Sequence, residues 1–169
     1  MKKIMEMLQN MKAKNEKKDN NGFSLVELII VIAIMAILVG VVGTQVIPYI
    51  NKSKESKDFQ IISSYGTAAM TAYSSNADKV TVTTPASGDT TVTFKVYGTN
   101  AADPEKLLSQ AIKDLTYAQF SDVHNKFKSD KGQDISDIKI TYNFTKKTIT
   151  AQAVDSSDNN VLDAVVSDM

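Results

Sequence analysis

Residues 21–43 read NGFSLVELIIVIAIMAILVGVVG, and this run decides how the rest of the chain is organised. From Leu28 to Gly43 sixteen consecutive residues carry no charged or strongly polar side chain. With Phe23–Val26 before it and Val46–Ile47 after it, the apolar span covers about 25 residues, interrupted by Ser24, Glu27, Thr44 and Gln45. At ~1.5 Å per residue a helix of that span is roughly 37 Å long, enough to cross a hydrocarbon core of about 30 Å. The run is rich in β-branched residues, which lowers helix propensity in water. In lipid, however, a lone segment satisfies its backbone only as a helix. Glu27 is the exception in this surface. A carboxylate costs about 2.5–3.5 kcal/mol at the centre of a membrane helix, so Glu27 marks a functional position that needs a partner.

The flanks set an orientation. Residues 1–22 hold six lysines (Lys2, Lys3, Lys12, Lys14, Lys17, Lys18) against Glu6, Glu16 and Asp19. Lys52, Lys54 and Lys57 follow the apolar run alongside Glu55 and Asp58. The excess of positive charge before the helix predicts a leader in the cytoplasm and a C-terminal domain outside. Three processing routes fit these residues: a conventional signal peptide cut at Val41-Val42-Gly43, an uncut anchor, or a cut at Gly22-Phe23. The last would remove the charged leader, keep the apolar helix and create a new amine on Phe23. Ser24-Leu25-Val26-Glu27 also has the S-x-x-E spacing of a capping box, in which Glu27 reaches back to the backbone of Ser24.

Gly22 followed by FSLVELIIVIAIMAIL resembles the class III signal of type IV prepilins and pseudopilins. The resemblance covers about 25 residues and requires glycine, phenylalanine, glutamate and the apolar run to coincide. It implies cleavage between Gly22 and Phe23 by a prepilin peptidase, with N-methylation of Phe23. It also implies that Glu27 pairs with the Phe23 amine of a neighbouring subunit during assembly. Leu28, Ile29, Ile30, Val31, Ile32, Ala33, Ile34, Met35, Ala36, Ile37, Leu38 and Val39 would then form the membrane and filament-core helix. Many members carry a kinking proline where this chain has Thr44; the first proline here is Pro48. Gly40, Gly43 and Pro48 within nine residues predict that the helix bends or loosens there instead.

Composition narrows the alternatives. The 169 residues suffice for one domain with a moderate core. All 19 basic residues are lysines, and after Gly22 there are 13 of them against 16 acids. Without arginine, bidentate contacts to phosphates and bases are lost, so nucleic acid is not an expected partner. There is no cysteine, so the fold rests on packing and hydrogen bonds.

Beyond Pro48, Phe59, Ile62, Tyr65, Ala69 and Tyr73 recur at helical spacing, which predicts a helix to about Ser74. Continuous from Phe23, such a helix would be on the order of 78 Å long, with Gly66 a mild cost inside it. Lys79–Thr84 and Thr90–Tyr97 read as a hairpin around Pro85–Asp89. Asp103-Pro104-Glu105 predicts an N-cap, a proline at the first helical position and an acid in the first turn. The helix behind it runs to about Phe120, with Leu107, Leu108, Ala111, Ile112 and Leu115 on its apolar face. Ser121–Ser136 reads as a loop, with a helical turn at Val123–Phe127 and a turn at Asp130-Lys131-Gly132. Ile138, Ile140, Tyr142 and Phe144 alternate with polar residues, and Ile149–Val154 and Val161–Val166 complete an antiparallel meander.

The expected class is therefore α+β, in the order α–ββ–α–βββ: a type IV pilin-like long N-terminal helix packed under a small antiparallel sheet. The expected organisation is a cleaved basic leader (1–22), a transmembrane and filament-core helix (23–47) and an extracellular head (48–169). No catalytic constellation is legible. His124 reads as an ordinary surface residue, no G-x-S-x-G elbow or glycine-rich phosphate loop occurs, and no cofactor is expected. Asp155 and Asp158 offer oxygen ligands to calcium but lack EF-hand spacing, so Asp155–Asn160 reads as a solvated turn. Asn143-Phe-Thr145 matches a glycosylation sequon but falls on an expected strand.

The resemblance implies a structural subunit of a type IV pilus, a homo-oligomeric helical filament for adhesion or motility. Its partners would be the membrane, the prepilin peptidase, an assembly platform and its ATPase. The competing readings are a pseudopilin of a secretion or DNA-uptake system, and a membrane-anchored or secreted binding domain that never polymerises.

Overall fold

The computed structural model describes residues 3–7, 9, 23–82 and 85–169. The chain divides into two compact units, Met1–Val46 and Ile47–Met169. In the first, helix α1 spans Leu25–Val41 and is followed by a π-helical turn, Val42–Val46. Two local features favour that turn. Pro48 has no N–H, so the carbonyl of Thr44 cannot receive an ordinary i→i−4 bond, and the ring would crowd that carbonyl. The hydroxyl of Thr44 donates to the Gly40 carbonyl at 2.9 Å, a back-bond that also loosens a helix. Single π turns inside α-helices relieve such conflicts.

The second unit begins with α2, Ile47–Asn76, so helical residues run without a break from Leu25 to Asn76. Strand β1 (Thr91–Lys95) is followed by α3 (Glu105–Leu115), α4 (Phe120–His124) and α5 (Asp130–Gln133). Strands β2 (Asp137–Asn143), β3 (Thr148–Val154) and β4 (Val165–Asp168) close the chain. All neighbours in the sheet are antiparallel, in the order β1-β2-β3-β4. The register places Phe94 beside Ile140, Ile140 beside Ala151 and Ala151 beside Val165. Period-2 alternation then buries Val92, Phe94, Ile138, Ile140, Tyr142, Ile149 and Ala151, forming with α2 one continuous core.

α2 supplies Ile62, Tyr65, Ala68, Ala69 and Ala72 to that core. The small residues let sheet and helix approach. A Cβ built on Gly66 would lie 3.5 Å from Val165 Cγ1 and 3.8 Å from Ala151 Cβ. Tyr142 reaches across to donate its hydroxyl to the Ala69 carbonyl at 2.7 Å, so its polar end is satisfied inside the core. The α+β architecture of a long helix packed with a small antiparallel sheet is thus present.

Several boundaries differ from the sequence reading. Residues 79–82 form no strand: Lys79 and Val80 donate to the Asn76 carbonyl, and Val80 and Val82 pack on the core as coil. Thr83 and Thr84 lie outside the described residues. Asp103 does not cap α3; Pro104 holds that position with no side-chain bond, after a cis Asp103–Pro104 peptide. α3 stops at Leu115, where Thr116 turns out of helical geometry and bonds the Ile112 carbonyl through its hydroxyl. Leu115 therefore projects outward instead of joining Leu108 and Ile112 in the core. The loop expected at Ser121–Ser136 contains α5 and most of α4. Val161–Asp163 is not a strand and β4 begins only at Val165; before it, Asn160 bridges Val154, Val161 N–H donates to the Ala153 carbonyl and the Gln152 amide nitrogen donates to the Leu162 carbonyl.

Candidate processing and assembly site

Phe23 precedes the first turn of α1 and is 83% exposed. Ser24 is in extended geometry (φ −65°, ψ 143°), and its hydroxyl oxygen accepts from the Val26 N–H at 3.3 Å. In return the Ser24 N–H donates to Glu27 Oε2 at 2.9 Å, completing the capping box read from S-x-x-E. Glu27 is also in the first turn, where a negative charge meets the positive end of the helix dipole. One carboxylate oxygen is thus held within its own chain, next to the peptide that joins Ser24 to Phe23. Among the described residues the other oxygen accepts no hydrogen bond. Gly22 lies outside the described residues.

Behind this head, no residue of α1 is buried. Glu27 is the one charged side chain in Leu25–Val41, so the apolar surface wraps the helix on every side. A helix that is hydrophobic all round is stable only when surrounded by lipid or by other protein. Leu28 through Val39 therefore form an apolar cylinder that nothing among the described residues buries. Gly40 and Gly43 have open space where a Cβ would be, so their small size is not imposed by packing within this chain.

In the second unit, the weak calcium candidates are engaged otherwise. Asp155 Oδ1 accepts from Ser157 N–H and Asn159 N–H at 2.8 and 2.9 Å, and Oδ2 accepts from the Asn159 side chain. The Asn159 side chain holds its carboxyl below the usual range. Asp158 sits between Lys139 (3.0 Å) and Lys95 (3.2 Å), and those ammonium groups hold its pKa down. Two lysines make this a poor place for a cation. No group of three or more His, Asp or Glu residues with metal-site geometry occurs among the described residues.

His124 is half-buried, not a surface residue. Its ring packs between Phe120 and Phe127, at 5.4 and 6.4 Å, and its Nδ1 is buried with no hydrogen-bond partner among the described residues. The sequence reading also gave no weight to Asp58, which is fully buried on α2. Its carboxylate accepts from Lys128 N–H (2.9 Å), Ser129 N–H (2.8 Å) and the Ser129 hydroxyl (2.5 Å). This cradle ties the loop before α5 to the long helix, a structural role. The sequence signal available was a lone acid on the same helical side as Ile62 and Tyr65, the side that turns inward.

Residues 17–43 match the prokaryotic N-terminal methylation motif. The match supports a class III prepilin-type signal, and with it a protein of the type IV pilin or pseudopilin kind. Such a signal implies processing by a prepilin peptidase and assembly in a pilus-type system. Together with the apolar helix it fits membrane anchoring before assembly. Comparison with curated proteins and with solved structures gave no match.

Proposed function

We propose that this chain is the structural subunit of a type IV pilus, made as a prepilin and polymerised through its N-terminal helix into a surface filament. One observation carries the reading. A helix apolar on every face and exposed throughout stands directly behind residues that match the methylation motif. Residues 1–22 are the basic leader, held in the cytoplasm by its six lysines and removed by cleavage between Gly22 and Phe23. Phe23 is then N-methylated, and 23–47 stores the subunit in the membrane with 48–169 outside. An assembly platform and its ATPase move the helix from lipid into the fibre, where neighbouring helices cover the same apolar surface.

Glu27 sets the register. An α-amino group has a pKa near 8 and is mostly charged at neutral pH, so its attraction to a carboxylate is strong in a poorly screened medium. Pairing Glu27 with the Phe23 amine of a neighbour is a heterologous contact, the type that builds an open filament when its rotation does not close a ring. The capping box supports this role by fixing Glu27 at the end of the helix while one oxygen stays available. Gly40, Gly43, the π turn and Pro48 form the segment that loosens when the helix repacks.

The test is Glu27→Ala. Membrane insertion and leader removal should persist while sheared surface fibres disappear; normal fibres would leave Glu27 as a helix cap alone. Abundance of the unmodified chain in sheared fibres assigns the major-subunit role, and processed chain retained in the membrane with none in fibres assigns a pseudopilin role.

A further inference from the structure

The second unit carries an apolar knob on one side and an apolar groove on the other. The knob is Leu115, 52% exposed at the end of α3, with Asp114 exposed beside it. α3 packs against α2 and β1, so the knob lies toward the β1 edge of the sheet. The groove, of about 460 Å³, lies between α2 and the segment that leads into β4, the opposite edge. Its apolar floor is Phe59, Val161 and Leu162. Phe59 is 38% exposed although it follows the helical stripe that continues into Ile62.

The groove is firmly built. Gln152, itself buried, holds the Leu162 carbonyl in place, and Lys131 of α5 pairs with Glu55 of α2 at 3.2 Å. Lys52 lines the same groove and has no ion pair among the described residues.

We propose that Leu115 of one copy seats on Phe59, Val161 and Leu162 of the next copy, with Asp114 against Lys52. Leucine fits an apolar floor, and an acid beside it meets the lysine that lacks a partner. Knob and groove occupy opposite edges, so the contact is head-to-tail and each copy uses one of each. A head-to-tail contact adds copies into an open filament when its rotation does not close a ring. Because Lys52 to Phe59 belong to the helix that follows the apolar segment, the contact extends the helix-mediated assembly outward to the heads. This inference rests on the proposal that the chain forms a homopolymer.

The absence of cysteine makes the test direct. Ser56→Cys, at the groove, and Ala118→Cys, exposed three residues beyond Leu115, are combined in one chain that keeps the leucine, and sheared fibres are treated with a short bifunctional maleimide. The expected product is a ladder of dimers, trimers and higher species that is lost when either cysteine is omitted. Fibres that form but give only monomer, or stop at dimer, overturn the contact while leaving the filament reading intact. Cross-links from Ser56→Cys to a different fibre protein assign the groove another occupant and overturn it equally. No fibres from the unmodified chain overturn the filament reading and this contact together. A charge exchange gives a second readout. Asp114→Lys should lower fibre yield several-fold, and Lys52→Asp in the same chain should restore it; restoration failing would remove Lys52 as the partner.

Discussion

Replacing Asp58 with alanine tests whether the second unit is held together as described. The carboxylate is fully buried and accepts three hydrogen bonds, two of them from the backbone N–H groups of Lys128 and Ser129. Alanine leaves the buried Ser129 N–H and the half-buried Lys128 N–H without this partner. Each such group costs about 1–3 kcal/mol, and the lost charge-assisted bonds were worth about 1.5–3 each, so the net destabilisation should be about 3–5 kcal/mol. For a unit of this size, roughly 4 °C of melting temperature accompanies each kcal/mol, giving a fall of about 12–20 °C. Asp58→Asn keeps the volume and one acceptor but turns an NH₂ toward a donor, and should lose about 1.5–3 kcal/mol. The assay is urea or thermal unfolding of the full chain in detergent, followed by tyrosine near-ultraviolet circular dichroism. Lys146→Ala serves as the control, since its ion pair with Asp89 is solvent-accessible and exposed ion pairs contribute little. If Asp58→Ala melted within about 1 kcal/mol of the parent, the buried cradle would not be an anchor and this account of the fold would fail.

Other predictions follow from the same geometry. Gly132→Ala should destabilise severely, by about 3 kcal/mol or more, because its Cβ would overlap Asp58 Oδ2 and sit 2.9 Å from Phe127 Cβ; urea midpoints measure this. Gly66→Ala should instead be neutral or stabilising by about 0.5–1 kcal/mol, since its Cβ finds ordinary contacts and the helix loses a glycine; a lower melting temperature would refute the stated spacing. Alkaline pH should unfold the head. Burial pushes the Tyr65 and Tyr142 hydroxyls far above the ordinary tyrosine range, so above about pH 10 the unfolded chain releases protons that the native chain keeps. Stability must then fall as pH rises. Tyrosinate absorbance from these two should appear only with unfolding; its appearance in the folded protein would contradict their burial.

The parts of this molecule that depend on neighbours in sequence were the ones legible from residues alone. S-x-x-E predicted the capping box, the sixteen-residue apolar run predicted α1, and the alternation of Ile138, Ile140 and Tyr142 predicted β2. Elements that depend on distant partners were not. Val80 and Val82 have strand-like residues, but their side chains join the core from a coil. Val161–Asp163 is tied to β3 by the Val161 N–H to the Ala153 carbonyl and by Gln152 to the Leu162 carbonyl, without a regular ladder, and those partners are invisible to local propensity. Leu115 fits the helical period, yet α3 ends there and its side chain stays exposed while Ile112 is buried. Asp58 reads as a solvated acid until the loop seventy residues later is folded against it. At the candidate site, the Ser24–Glu27 cap was legible from spacing because its hydrogen bonds are local. The groove on α2 was not, because its walls come from three separate parts of the chain.

The central claim is that cleavage at Gly22-Phe23 turns this chain into a filament subunit. The measurement that bears on it most directly is the N-terminal sequence and mass of protein recovered from sheared surface fibres. The account predicts a chain that begins at N-methylated Phe23. A chain beginning at Met1 would mean an uncut anchor and one beginning at Thr44 a conventional signal peptide, and either would contradict it.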